Sequence, residues 1–306
     1  MSFPFKEKYY ENMCNLVNDY SKKMNRMPRV DALKICIWNI LCILYPGSLC
    51  STKIEEIETE DKIETPLERK LKDIYLVNGE IIVKRGPFAG MYYPEFESFG
   101  SSLWPKLAGV YEKELQSVIG ETLNKEYKYI LDIGCAEGYY SVGWALKNIA
   151  EEIYAYDIDP IARDLCTKMC LKNNVNINIS DWCTPDTLLD FDFSSKKKRS
   201  LIMADCEGYE RELFTENVVN NLNNVDMLIE VHDWNQCETT TLDYLISIFN
   251  KSHSYRIITG IDDYEKAYKY KIEELSEFDI KERYEILREN RRRLGKWIYF
   301  EAHSIG

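Results

Sequence analysis

The chain has 306 residues, enough to bury a full hydrophobic core in one main domain with a smaller extension. Its 39 lysines and arginines stand against 51 aspartates and glutamates, which gives a formal net charge of −12. A field of that sign repels polyanions, so we expect no nucleic acid among the partners and no attraction to an anionic membrane surface.

The cysteines and apolar segments indicate the compartment. Ten cysteines are scattered without a Cys-x-x-Cys pair or the Cys/His spacing of a metal site. The longest apolar run, residues 35–45, is shorter than the roughly 20 residues of a membrane-spanning helix. The opening Met-Ser-Phe-Pro-Phe-Lys-Glu lacks the charged start and apolar core of a secretory signal. We therefore predict reduced thiols, no membrane span and a cytoplasmic location.

Residues 1–126 are predicted to form an N-terminal region in three parts. Helical spacing over residues 1–50 ends at Pro46-Gly47, and residues 51–73 form a charged connector without a sustained apolar face. Two β-rich runs over residues 75–83 flank Asn78-Gly79, a pair that tolerates the positive φ of a tight hairpin turn. Three roles are open to this region: a lid, a wall of the substrate site, or a contact between copies in a homo-oligomer.

Residues 127–306 are predicted to form the main α/β domain. Short apolar runs alternate with amphipathic stretches, the pattern of strand-helix-strand units around a parallel sheet. A charged insert of helical character, residues 262–294, separates the last two strands. The predicted strands are residues 129–133, 153–157, 175–180, 200–204, 225–232, 255–259 and 296–300. This order resembles the Rossmann-like seven-stranded methyltransferase sheet, mostly parallel with an antiparallel last strand, more than a dinucleotide-binding dehydrogenase.

The first predicted strand of this domain runs into a glycine turn, Asp132-Ile133-Gly134-Cys135-Ala136-Glu137-Gly138. Its glycines let the backbone approach a ligand closely, and the next helix starts near Tyr139. The Asp-x-Gly-x-x-x-Gly spacing differs from the Gly-x-Gly-x-x-Gly fingerprint that binds a pyrophosphate, a group that S-adenosyl-L-methionine lacks. The turn therefore favours S-adenosylmethionine over a dinucleotide.

Residues after the next two strands extend the predicted cofactor site. Asp157 lies 23 residues beyond Gly134, where a carboxylate accepts hydrogen bonds from ribose hydroxyls. Asp181 is placed to accept a hydrogen bond from the adenine amine, and Trp182 to pack on the adenine ring. The alternative is that Asp181 caps a helix and Trp182 lies in the core. Asp132 either orients the turn or reaches the amino group of the methionine part. The remaining predicted contacts are Gly134, Cys135, Ala136, Glu137, Gly138, Tyr140, Ile158 and Asp205.

The fourth and fifth strands end in unusually acidic sequence, Asp205-Cys206-Glu207-Gly208-Tyr209-Glu210 and Glu230-Val231-His232. Open parallel sheets bind ligands beyond the carboxyl ends of their strands, so these residues should face a transferred methyl group. Transfer to a hydroxyl requires a base, and a histidine with a pKa near neutrality suits that role. We therefore predict His232 as the base, with a structural histidine as the alternative. The predicted catalytic set is His232, Asp205, Glu207 and Glu230, while Glu210 ranks below them as a helix-start acid.

These two motifs, Asp-x-Glu-Gly-x-Glu and Glu-x-His, resemble those of the FkbM-type family of class I S-adenosylmethionine-dependent methyltransferases. The likeness extends through the glycine turn and Asp157, over roughly residues 127–235. Residues 86–93 and 109–115 are also similar to a stretch in a bacterial branch of these proteins. The resemblance implies O-methylation of sugars or small natural products, in surface-glycan or secondary-metabolite biosynthesis.

The leading prediction is therefore O-methylation of a saccharide or similarly polyhydroxylated small molecule. One alternative is N-methylation of an amine or peptide, with the acids around a cationic acceptor, and another is a non-catalytic scaffold in a glycan-assembly complex. No metal is predicted, although Asp205, Glu207, Glu230 and His232 form an alternative Mg²⁺ site. The arginines between Arg288 and Arg293 are interpreted as a solvated helix end or, alternatively, as an anion site.

Overall fold

The computed structural model describes residues 64–195, 197–233, 239–291 and 294–303. The predicted N-terminal helical region, its apolar run at residues 35–45 and most of the charged connector lie outside these ranges. Glu64–Gly306 groups as one compact unit. The domain boundary that the sequence suggests after residue 126 stays a prediction.

The described chain begins with helix α1 (Pro66–Tyr75), inside the segment predicted to be a connector. Thr65 caps this helix: its side chain accepts from the amide of Glu68, and the Glu68 carboxylate accepts from the amide of Thr65. Leu71 and Tyr75, four residues apart on one face, are buried. The connector prediction is wrong over these residues, because the reciprocal cap and the two buried side chains stabilise a helix despite its many charges.

The predicted hairpin is present as strands β1 (Leu76–Val77) and β2 (Glu80–Ile82). Asn78 and Gly79 between them have φ values of 54° and 82°, the left-handed conformation of a tight two-residue turn. Strand β3 (Tyr92–Tyr93) pairs with β2 and completes a three-stranded sheet.

The main sheet contains seven strands. They are β4 (Tyr127–Ile133), β5 (Ala150–Tyr156), β6 (Asn178–Ser180), β7 (Arg199–Ala204), β8 (Val225–Glu230), β9 (His253–Thr259) and β10 (Lys296–Ala302). Their order across the sheet is β6-β5-β4-β7-β8-β10-β9. The pairs from β6 to β8 are parallel, whereas β10 is antiparallel to both of its neighbours. The predicted fold class is confirmed, including the antiparallel last strand.

The helices connect and cover these strands. They are α2 (Leu103–Leu107), α3 (Gln116–Thr122), α4 (Tyr139–Lys147), α5 (Pro160–Asn173), α6 (Pro185–Asp190), α7 (Glu210–Leu213), α8 (Glu216–Val219), α9 (Thr241–Phe249), α10 (Asp263–Lys269) and α11 (Ile280–Leu287). Helices α10 and α11 fall within the segment predicted as a helical insert. Among the described residues, no helix combines the length and the apolar character that crossing a bilayer requires.

Alternate residues of the strands lie in two hydrophobic layers, one on each face of the sheet. Ile130 and Trp297 belong to one layer, while their neighbours Leu131 and Ile298 belong to the other. Tyr75, in the region before the sheet, is buried in the first layer with Ile130. The segment from α1 to α3 therefore covers one face of the sheet, and the carboxyl ends of β4 to β8 meet along one edge.

Candidate functional site

The glycine turn follows β4 and holds itself together through its own backbone. The amides of Gly134 and Cys135 both donate to the carbonyl oxygen of Tyr156, at 2.8 and 3.0 Å. The amide of Gly138 donates to the carbonyl of Cys135, and Ala136 adopts a positive φ of 49°. The turn is thus anchored to the end of the neighbouring strand β5, so its shape is set before any ligand binds.

Gly134 lies where β4 and β7 diverge, the switch point of the sheet. A Cβ atom at this position would stand 1.8 Å from the carbonyl oxygen of Asp205, and φ is 83°. The amide of Asp205 in turn donates to the carbonyl of Ile133 at 2.9 Å. Only glycine fits here, and the contact joins the predicted cofactor turn to the predicted reaction loop.

Asp157 follows the last residue of β5 and lies beside the glycine turn. Its carboxylate accepts from the amides of Ala136 and Asp159, each at 2.9 Å. Burial raises its pKa, although these two hydrogen bonds act in the opposite direction. A carboxylate offers about four lone-pair sites, so two remain for ribose hydroxyls.

Asp132 and Glu137 are the buried acids of the turn. The Asp132 carboxylate accepts from the amide of Ser141 at 3.0 Å, and burial raises its pKa to about 7. It therefore holds the first turn of α4, and its predicted roles toward the glycine turn or the cofactor stay predictions. Glu137 is 1% exposed and forms a 2.5 Å ion pair with Lys106. Burial raises the pKa of Glu137, but Lys106 outweighs burial and the net shift is downward.

The other predicted cofactor residues occupy different environments. Cys135 is buried, whereas Ile158, directly after Asp157, is 46% exposed. The hydroxyl of Tyr140 donates to Glu112 at 2.6 Å, which ties α4 to the segment before the sheet. Glu137 and Tyr140 therefore contribute by fixing the turn and its helix rather than by offering free polar atoms.

Asp181 and Trp182 follow β6, next to β5 at the same edge. The Asp181 side chain accepts from the amide of Trp182 at 2.8 Å. Trp182 is 37% exposed, so it is not a core tryptophan, and its ring centroid lies 6.0 Å from that of Tyr209. Two aromatic rings, from the segments that follow β6 and β7, therefore lie close together, and sequence reasoning gave Tyr209 no role.

Asp205, Glu207 and His232 converge after β7 and β8. The Nε2 atom of His232 lies 3.8 Å from Asp205 Oδ1 and 3.6 Å from Glu207 Oε2. The Asp205 side chain is 34% exposed, but its Oδ1 atom is shielded and accepts no hydrogen bond. Burial, and then the charges of Glu230 and Glu207, raise the pKa of Asp205 well above its usual value. The three side chains form an acidic pocket around one imidazole nitrogen, open to solvent on the side of Glu207.

Glu210, which the sequence ranks below the other acids, lies against His232. Its side chain is fully buried, and its Oε1 atom lies 2.7 Å from His232 Nδ1. Burial lowers the pKa of His232, but Glu210, followed by Glu230 and Glu207, outweighs burial and raises it above the usual value. The sequence signal was present in Asp-x-Glu-Gly-x-Glu, but a helix-start acid was the simpler interpretation.

Glu230 lies beside Asp205 and is also bound by Arg291. The guanidinium of Arg291 lies 2.6 Å from Glu230 and also binds Glu112 and Glu289. Glu230 is 7% exposed, so its carboxylate acts on its neighbours through charge and presents little surface to a substrate. The interpretation of this arginine as part of a solvated helix end is wrong, because three acids from separate parts of the chain surround it. Arg292 and Arg293 lie outside the described residues.

Asp205, Glu207 and His232 also have the spacing of a metal site. One ligand atom from each lies within 4.8 Å of the others. Glu230 does not belong to this group, and its carboxylate is bound by Arg291. The structure thus reduces the alternative Mg²⁺ set from four residues to three.

The turn and the acids fit S-adenosylmethionine. Gly134 allows close approach, and Asp157 and Asp181 supply acceptors for ribose hydroxyls and an adenine amine. The Asp-x-Gly-x-x-x-Gly spacing of residues 132–138 also differs from the Gly-x-Gly-x-x-Gly spacing that brings a helix N-terminus to a pyrophosphate. With the strand order and the switch-point turn, this arrangement defines the class of fold: that of the class I S-adenosylmethionine-dependent methyltransferases.

Comparison with known proteins gives only distant similarities. No protein-family model and no curated protein matches the sequence. Among solved structures, MccD protein is 13% identical with a TM-score of 0.37, over 62% of this chain and 97% of that one. Precorrin-6y C5,15-methyltransferase from Geobacter metallireducens is 15% identical with a TM-score of 0.37, over 61% and 89%. WbdD, crystallised with a kinase inhibitor, is 14% identical with a TM-score of 0.43, over 69% and 46%. Such values do not carry an activity or acceptor over to this chain.

Proposed function

We propose that the protein is an S-adenosylmethionine-dependent O-methyltransferase for a hydroxyl of a saccharide or similarly polyhydroxylated small molecule. One observation carries the proposal: Nε2 of His232 lies 3.8 Å from Asp205 Oδ1, and the backbone of Asp205 contacts the Gly134 turn. A base and a cofactor turn thus meet at the switch point of one sheet. The resemblance of the acidic motifs to FkbM-type enzymes supports the same activity.

The glycine turn, Asp157, Asp181 and Trp182 would hold the cofactor along the edge from β4 to β6. When bound, S-adenosylmethionine would supply the methyl group: the acceptor oxygen would bond to the methyl carbon as the carbon–sulfur bond breaks, which leaves S-adenosylhomocysteine and, once the hydroxyl proton is lost, a methyl ether. Asp157 would bind and orient the cofactor by accepting hydrogen bonds from its ribose hydroxyls. The exposed Trp182 provides an aromatic surface beside it.

His232 takes the proton that the acceptor hydroxyl loses. Its Nε2 atom has the lone pair for this when the ring is neutral and protonated on Nδ1. Glu207, with a side chain that is 77% exposed, and Asp205 flank that nitrogen and can hydrogen-bond to neighbouring hydroxyls of a polyol. These groups position a hydroxyl and remove its proton.

The charge around the pocket favours a neutral acceptor. Arg291, the cation that reaches Glu230, is already bound by Glu112, Glu230 and Glu289. A phosphate or carboxylate would therefore face Asp205 and Glu207 at close range, which costs free energy. A neutral sugar or polyol avoids this repulsion.

The N-terminal region is proposed to form a wall of the acceptor site. Glu112, from the segment between α2 and α3, binds Arg291 and accepts from the hydroxyl of Tyr140 in α4. The region thus reaches the same buried charges that border the pocket. A lid and an oligomer contact remain the alternative roles.

Calorimetric titration tests the cofactor half of the proposal. Wild-type protein should bind S-adenosylmethionine and S-adenosylhomocysteine but not NAD, and Asp157→Asn should weaken adenosyl binding by about tenfold or more. Asp164→Asn, on the exposed side of α5, removes the same charge as a matched control and should bind as the wild type. Failure of the wild type to bind either adenosyl ligand would refute the proposal.

Methyl transfer to a panel of free sugars, methyl glycosides and polyols tests the reaction half. With an acceptor that the wild type methylates, His232→Ala should lose about 10²-fold or more in kcat. His303→Ala, at an exposed histidine, serves as the control and should keep full activity. A His232→Ala variant with unchanged turnover would show that His232 is not the base.

The second candidate is N-methylation, which the acids around His232 favour because they would attract a cationic amine. The two activities differ in their dependence on the base. An amine acceptor must lose its own proton before transfer, so its rate would rise toward the pKa of the amine and depend little on His232. Binding of adenosyl ligands without transfer to hydroxyl or amine panels would instead support a non-catalytic scaffold.

A further inference from the structure

Glu210 and His232 form a buried hydrogen-bonded pair at the edge of the acidic pocket. Glu210 begins α7, directly after the loop that follows β7, while His232 lies two residues beyond β8. The 2.7 Å contact between Oε1 and Nδ1 therefore joins the ends of two adjacent strands. Oε1 also accepts from the amide of Gly208 at 3.1 Å, which keeps the carboxylate oriented.

The other oxygen of Glu210 is left without a partner. Its Oε2 atom is shielded from solvent and accepts no hydrogen bond. An ionised carboxylate in such a place costs folding free energy that a neutral side chain of the same shape would avoid. Glu210 is therefore better explained by what it does to His232 than by a contribution to stability.

We propose that Glu210 is a positioning residue that holds His232 through an Nδ1–H hydrogen bond, so that Nε2 carries the lone pair that takes the acceptor proton. The inference rests on the proposed O-methylation. The proton moves from the acceptor oxygen to Nε2, the electron pair of the broken O–H bond stays on oxygen, and Nδ1 keeps its own proton. Glu210 then stabilises the imidazolium that results.

Other charges also face the ring and share in its titration. Asp205 and Glu207 approach Nε2 from the loop after β7, and the charge of Glu230 acts from β8. Arg291 reaches Glu230 from beyond α11. Glu210 is the one of these acids that forms a hydrogen bond of ordinary length with the ring among the described residues.

A metal ion is the competing use of the same nitrogen. Histidines that bind metals commonly donate their other ring N–H to a carboxylate, and Asp205 and Glu207 lie within reach of Nε2. In that case Nε2 would be a ligand and not a base. A test must therefore distinguish a His232 ring oriented to accept a proton from one oriented to bind a metal ion.

Nitrogen-15 NMR of the imidazole rings tests the pairing without any acceptor. The chain has three histidines, so His232→Ala identifies the signals of His232. We expect the neutral His232 ring to carry its proton on Nδ1, and Glu210→Gln to lower the pKa of His232. Glu212→Gln, at an exposed acid of the same helix, is the matched control and should leave both unchanged. A neutral ring protonated on Nε2, or an unchanged pKa in Glu210→Gln, would overturn the proposal.

Kinetics with an acceptor that the wild type methylates test the consequence. Glu210→Gln should lower kcat on the order of 10²-fold with little change in KM, and move the rising limb of the pH profile to lower pH. Its melting temperature at pH 8 should equal or exceed that of the wild type. A lower melting temperature with an unmoved pH limb would assign Glu210 a structural role and overturn the proposal.

Two further outcomes are decisive. Calorimetric binding of Mg²⁺ or Mn²⁺ that is lost in His232→Ala would make Nε2 a metal ligand and overturn the base assignment. If no acceptor is methylated, the proposed function fails, while the NMR spectra still decide whether Glu210 orients His232.

Discussion

Alanine substitutions at Gly134 and Gly79 form a matched pair that measures the contact at the switch point. Both glycines have nearly the same conformation, with φ values of 83° and 82°. A Cβ atom at Gly79 would meet nothing within 4 Å, whereas at Gly134 it would stand 1.8 Å from the carbonyl oxygen of Asp205. The pair therefore separates the cost of a left-handed alanine from the cost of forcing two strand ends apart.

The expected losses of stability follow from these two costs. An alanine in the left-handed region costs roughly 1–2 kcal/mol, which is the whole effect expected for Gly79→Ala. Gly134→Ala adds the cost of overpacking, about 1–3 kcal/mol, because the backbone of Asp205 must move to an ordinary contact distance. The moved loop carries Asp205 away from His232, so adenosyl binding and methyl transfer should both fall.

Urea denaturation and calorimetric titration with S-adenosylhomocysteine measure the two effects separately. We expect Gly134→Ala to lose about 1–3 kcal/mol more free energy of unfolding than Gly79→Ala, and only Gly134→Ala to lose ligand binding. Equal destabilisation of the two variants, with wild-type binding in both, would refute the reasoning from close approach.

Three further substitutions test buried charge and the helix cap. Burial, with Glu289, raises the pKa of Glu114 to about 7, and both carboxylate oxygens lack partners. The pKa of Glu114 is higher in the folded than in the unfolded protein, so stability falls as pH rises from about 4.5 to 7. Glu114→Gln should therefore raise the free energy of unfolding by about 1–3 kcal/mol at pH 8 and leave it unchanged at pH 4. Lys106→Met should cost about 3–5 kcal/mol by stranding Glu137, and the double variant with Glu137→Gln should recover most of it in urea denaturation. Thr65→Ala should cost about 1 kcal/mol by the same measurement, and no change would contradict the capping role.

The placement of the site residues at one edge of the sheet could be predicted, because it depends on local sequence signals and on one rule of sheet topology. Gly134, Asp157, Asp205 and His232 each follow a short apolar run that forms a strand. Parallel strands bring their carboxyl ends to one edge, so these residues meet wherever the order of the strands allows it. Helix α1 was not predicted, because the charged segment lacks a sustained apolar face and buries only Leu71 and Tyr75.

The pairing of buried charges could not be predicted, because it depends on distant parts of the chain. Glu210 is buried by His232, 22 residues later, and nothing local distinguishes it from an exposed acid at a helix start. Arg291 is buried by Glu112, which precedes it by 179 residues. Acids outnumber basic residues in this chain, so a single sequence offers many partners for each arginine and no means of choosing among them.

The shared guanidinium of Arg291 limits how this chain could be rebuilt by exchange of segments. Its three acids come from the segment before α3, the end of β8 and the stretch after α11. A chimera that imports a foreign insert between β9 and β10 would remove the cation and leave Glu112 and Glu230 facing each other. Transplanting that insert alone should therefore fail, whereas a graft that keeps Arg291 and its spacing to β10 leaves the charges compensated.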